Sequence, residues 1–97
     1  MEPEDEVVLT SKNGTFELVA KHSDSGYVRY YVNNTDDIVP WNYVYIIFDK
    51  DYLTKKYHIS LNTVSRTCNY DEAYEFADRL IEAADFVNEV KDILDIE

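Results

Sequence analysis

The stretch from Asn69 to Glu97 constrains this chain most, because its side-chain spacing suits one long helix with two opposed faces. Glu75, Asp78, Glu82, Asp85, Glu89 and Asp92 follow one another at steps of three or four residues, which keeps them on one helical stripe. At about 1.5 Å of rise per residue the stripe is roughly 25 Å long. An apolar set, Ala73, Phe76, Ala77, Leu80, Ile81, Ala84, Val87, Val90 and Leu94, defines the face expected to be buried. Asn69 is the expected N-cap, with Glu72 in the capping-box position and Asp71 favourable in the first turn. Phe86 and Ile93 fall on the border between the two faces, where either the sheet covers them or they anchor a partner.

Upstream, the pattern changes to the two-residue period of strands. Val7–Ser11 and Thr15–His22 flank Lys12-Asn13-Gly14, and Asn-Gly between β-rich runs predicts a hairpin. Ser23-Asp24-Ser25-Gly26 predicts a second turn, followed by a strand from Tyr27 to Val32 and a looser break over Asn33–Asp37. Pro40 belongs at an edge or a strand start. Tyr43–Phe48 is the most apolar strand, Asp49-Lys50-Asp51 a polar turn, Lys55–Leu61 the last strand, and Asn62–Cys68 a linker. Alternation puts Phe16, Leu18, Ala20, Val28, Tyr30, Val32, Val44, Ile46, Phe48, Tyr57, Ile59 and Leu61 on one face. The opposite face carries Tyr27, Arg29, Tyr31, Tyr43, Tyr45 and Ile47, with Trp41 nearby.

The expected fold is therefore α+β: a four- to five-stranded antiparallel meander with one long C-terminal helix packed on one face. A chain of 97 residues, 45% of them hydrophobic, suits a single domain spanning 1–97. Within it, residues 1–6 are expected to be flexible, 7–61 to form the sheet and 69–96 the helix.

The net charge of −11 is unevenly distributed. Residues 1–6 contribute −4, residues 7–68 (six acids, seven bases) +1, and residues 69–97 (ten acids, two bases) −8. Such a chain is poorly suited to neutralising phosphates, so direct nucleic-acid binding is not expected, whereas a basic protein partner is. With no apolar run near the roughly 18 residues of a membrane span and no export signal, neither a membrane partner nor secretion is expected, and the expected location is cytoplasmic. Cys68, the single cysteine, fits a reducing compartment, and without a secretory route the N-x-T triplets at Asn13 and Asn33 are expected to be chance matches and not glycan sites.

Catalytic motifs are absent from the linear pattern. His22, His58 and Cys68 each lack the flanking context of a nucleophile or a metal site. Asp49-Lys50-Asp51 lacks the other ligands and the glycine of a calcium loop, and Gly14 and Gly26 serve turns and not a phosphate loop. The expectation is a non-catalytic protein with no cofactor and no metal.

Two surfaces then compete as binding sites. The acidic stripe contains five successive like-charge neighbours, each opposing the helix by about 0.2–0.5 kcal/mol, together roughly 1–2.5 kcal/mol. Asp92, Asp95 and Glu97 add further cost at the negative end of the helix dipole. Either the stripe is a solvated face that confers solubility, or it mimics a phosphate backbone. The second surface is Tyr27, Tyr31, Tyr43 and Tyr45, which either stabilises the sheet by cross-strand pairing or serves an assembly contact, a homodimer included. Base stacking there is disfavoured because the sequence shows no basic surround.

A small, strongly acidic single domain with a short sheet, one long acidic helix and many Tyr and Asn residues resembles the phage-encoded inhibitors of host defence nucleases, including anti-CRISPR and anti-restriction proteins. The resemblance covers the chain in outline and carries over no functional residue. It implies a non-catalytic inhibitor, acting in the host cytoplasm, that occupies a nucleic-acid channel of a Cas-type effector or a restriction enzyme.

Overall fold

The computed structural model describes residues 5–34, 42–51, 53–65 and 68–94. Five strands precede one helix: β1 (Asp5–Thr10), β2 (Phe16–His22), β3 (Val28–Asn34), β4 (Asn42–Lys50), β5 (Tyr57–Ser65) and α1 (Tyr70–Ile93). All pairings are antiparallel, but the strands form two sheets, β1-β2-β3 and β4-β5, where one meander was expected.

Side chains join the edges where the ladder is interrupted. The Asn34 amide accepts from the Ile46 N–H at 2.9 Å and donates to the Ile46 carbonyl at 3.1 Å, so it takes the place of a neighbouring strand. Further along, the Tyr30 N–H on the β3 edge is met by Tyr57 Oη at 3.4 Å. These two substitutions satisfy edge groups without closing β3 onto β4, and the gap beyond them is a cleft.

Turn chemistry follows the sequence. Gly14 and Gly26 stand at φ +79° and +83°, the left-handed region that glycine adopts without strain. In β1 a bulge between Val7 and Leu9 resets the alternation. Val7 pairs with Val19 on the outer face, while Leu9 pairs with Leu18 and packs on the core. Strand bounds shift at four places: β1 begins at Asp5, inside the segment expected to be flexible; β4 runs on through Asp49 and Lys50, expected as turn; β5 begins at Tyr57 and not Lys55, and it continues through Asn62–Ser65, which was expected to be linker. Pairing with Asn42–Tyr45 holds those polar residues in the ladder, so the hairpin partner outweighs composition. Pro40, Trp41, Asp36, Asp37, Asp95 and Glu97, and the side chain of Tyr43, lie outside the described residues.

Between the sheets and the helix lies one core of Phe16, Leu18, Val44, Ile46, Ala83, Phe86 and Val90. Phe16 and Phe86 meet at a centroid distance of 5.9 Å. Strands β2 and β4 supply the side chains that alternation assigned, with Val44, Ile46 and Phe48 of β4 inward.

The helix, however, is rotated by roughly 60° from the expected face, less than one residue step of 100°. Ala73, Ala77, Ile81 and Ala84 are exposed, whereas Phe86, Ala83, Val90 and Glu82 are buried. This orientation seats the Phe86 ring against Phe16 and the Glu82 carboxylate in the β1–β2 turn, contacts that the alanine face could not make. Glu82, one turn before Phe86, is carried inward with it.

The helix start is as expected. Asn69 Oδ1 accepts from the Glu72 N–H and Glu72 Oε1 from the Asn69 N–H, both at 2.9 Å. Replacing Asn69 with Ala removes one of these and should cost about 1 kcal/mol, measurable by urea denaturation. No change in the midpoint would mean that the cap contributes nothing.

Candidate acidic helix interface

Of the six stripe acids, Glu75, Asp78, Asp85, Glu89 and Asp92 are exposed, and none forms an ion pair among the described residues. Glu82 departs from this pattern and is a correction to the expected surface: only 5% of it is accessible. Its carboxylate sits inside the β1–β2 turn, accepting from Ser11 Oγ, the Asn13 N–H (2.9 Å), Asn13 Nδ2 (3.3 Å), Thr15 Oγ1 (3.2 Å) and the Thr15 N–H (3.4 Å). Burial by itself would raise the pKa of this group, but the donors from Ser11, Asn13 and Thr15 outweigh it and hold the pKa below its ordinary value of 4.5. Glu82 is thus a charged structural anchor held by dipoles, with no cation partner among the described residues.

The exposed stripe is consequently interrupted. Glu75 and Asp78 form one group, Asp85, Glu89 and Asp92 another, separated by roughly 10 Å. Along its margin runs an exposed set that sequence reasoning missed. Tyr70 and Tyr74 are 89% and 74% accessible, and Ile81 is 61% accessible. Tyr70, Tyr74, Ala77, Ile81 and Ala84 repeat at four, three, four and three residues, the spacing of a helix–helix seam. The signal was available in that spacing, but Ala77, Ile81 and Ala84 had been assigned to the core.

The expected tyrosine surface is divided. Tyr27 and Tyr31 stand on β3 or just before it and line the cleft beside β4, while Tyr45 is half-buried in the other sheet. Tyr31 Oη donates to Asp5 Oδ2 at 3.2 Å. The two histidines weighed for catalysis have local carboxylate partners. His22 lies 3.5 Å from Glu6 and His58 3.5 Å from Asp51, while Cys68 is exposed. Asp51 caps its own turn through the Leu53 and Thr54 N–H groups, which lower its pKa, whereas Asp49 and Lys50, expected in that turn, are the last residues of β4. Among the described residues no group of three metal-ligating side chains forms, and no helix is long and apolar enough to cross a membrane.

No protein-family model matches the chain, and neither a curated protein nor a solved structure is significantly similar to it.

Proposed function

We propose that the protein is a non-catalytic inhibitor that lays α1 against a basic, nucleic-acid-binding groove of another protein, a defence nuclease of the Cas or restriction type. The observation that carries this reading is the composition of one exposed helix surface. Five carboxylates with no ion pair among the described residues flank Tyr70, Tyr74 and Ile81, and neither set contributes to the core. Exposed like charges and exposed tyrosines both oppose or leave unassisted the stability of an isolated domain, so their joint presence favours a partner that needs them. The carboxylates supply steering and register against lysines and arginines, and the tyrosines supply apolar contact area with hydroxyls at small entropic cost.

The test is inhibition and binding against basic nucleases of these classes at low and high salt, with a nucleic-acid competitor. Binding should weaken as salt rises and be displaced by nucleic acid. Reversal of Asp78, Asp85 and Glu89 to Lys should reduce affinity at least about a hundred-fold, equivalent to roughly 3 kcal/mol, with no loss of melting temperature, since it also relieves like-charge repulsion along the helix. Glu82 is left out of this variant because it anchors the fold. Inhibition that survives the triple reversal rejects the reading.

A further inference from the structure

The cleft between β3 and β4 gathers three of the chain's nine basic residues into a molecule of net charge −11. Lys21 comes from β2, Arg29 from β3 and Lys50 from the end of β4, around a volume of about 620 Å³. That size lies within the roughly 300–1,000 Å³ of small-molecule sites. Among the described residues none of the three forms an ion pair, although acids outnumber bases 20 to 9. Lys21 and Arg29 are direct cross-strand partners, a like-charge pairing that works against the sheet. Asp5 stands opposite Lys21 on the other side, but its carboxylate accepts from Tyr31 Oη and makes no ion pair with the lysine.

The remaining wall is aromatic. Tyr57 stacks on Phe48 at 4.8 Å with an interplanar angle of 11° and meets Tyr30 edge-on. Lys50 Nζ stands 5.5 Å from the ring centres of both Tyr27 and Tyr57 and 3.3 Å from Tyr27 Oη, which holds its charge at the boundary between the aromatic wall and the other two cations. Asp49, also on the rim, supplies an acceptor.

From this juxtaposition we infer that the cleft is a binding site for a nucleoside phosphate, its base against the aromatic wall and its phosphates between Lys21, Arg29 and Lys50. An arginine suits phosphate oxygens bidentately and a lysine as a point charge. Tyrosine faces stack on any base, and the Asp49 carboxylate can accept from a sugar hydroxyl or an exocyclic amine. A polynucleotide fits poorly, because strand leaving the cleft meets a surface whose net charge is strongly negative. The site is separate from the acidic helix surface and does not depend on the function proposed above.

The test is calorimetric titration of the full chain with ADP, GDP and UDP, and separately with adenosine, inorganic pyrophosphate and a short single-stranded oligonucleotide. At least one diphosphate should bind in the micromolar range, with adenosine and pyrophosphate each weaker by at least about ten-fold. Lys21→Gln and Arg29→Gln should each weaken that binding about ten-fold without lowering the melting temperature, since both side chains are exposed. No binding of any diphosphate at millimolar concentration overturns the inference. So does pyrophosphate binding as tight as the diphosphate, binding of the oligonucleotide alone, or affinity unaffected by both substitutions.

Discussion

Glu82→Ala should destabilise the protein by about 2–4 kcal/mol, because hydrogen bonds to a charged acceptor contribute more than neutral ones and their buried donors would be stranded. For a domain of this size the melting temperature should fall on the order of 10–25 °C. Ser11 and Thr15 are 6% and 9% accessible, so water reaches their donors poorly, whereas Asn13 is exposed and can be resolvated. Glu82→Gln should cost less but remain harmful. An amide presents hydrogens to N–H and O–H groups that were all arranged to donate, and turning it relieves only one side of the site. Thermal unfolding followed by circular dichroism measures each variant, and a Ser11→Ala, Glu82→Ala double-mutant cycle should show coupling between the two positions. A Glu82→Ala protein that melts like the parent would show that the turn and the helix dock independently of this carboxylate.

The same site sets a pH dependence with a definite sign. The folded pKa of Glu82 is depressed below 4.5, so the unfolded chain binds the proton more readily. Its contribution to stability is complete above the unfolded value and is lost as pH falls through the folded one. Glu82→Gln should therefore flatten the acid limb of the stability curve while leaving the neutral region lowered by a constant amount.

How much of this was legible in the sequence depends on whether the information is local. The Asn69 cap, the Asn13-Gly14 and Ser23–Gly26 turns and the inward alternation of Phe16, Leu18, Val44 and Ile46 are each specified within a few residues. Strand count and the C-terminal helix followed from them. Division into two sheets did not, because it rests on Asn34 reaching Ile46 and on Tyr57 reaching Tyr30, contacts between segments whose own patterns are ordinary. Glu82 was misread for a related reason. Its spacing places it among the stripe acids, and only the donors of Ser11, Asn13 and Thr15, about 70 residues away in sequence, draw it inward. The cationic cleft was invisible because Lys21, Arg29 and Lys50 are isolated in sequence and come together only where β3 and β4 part.

Phe86→Ala should cost about 3–5 kcal/mol, enough to consume much of the stability of a domain this small. Phe86 is 1% accessible and packs on Phe16 from β2, in the same cluster as Val44 and Ile46 from β4. Its ring thus ties both sheets to the helix, and truncation opens a cavity bordered by three elements that cannot all move inward together. Ile81→Ala makes the decisive comparison. Hydrophobicity alone ranks Ile81 with the core, yet it is 61% accessible and should be replaceable within about 0.5 kcal/mol. Urea denaturation of the two variants measures which face of α1 is buried. A large loss at Phe86 with almost none at Ile81 is the expected pattern, and the opposite ranking would return the helix to the face its alanines suggest. Because Glu82 and Phe86 lie one turn apart on the same side, that reversal would also expose Glu82, and its acid-limb dependence should vanish in parallel.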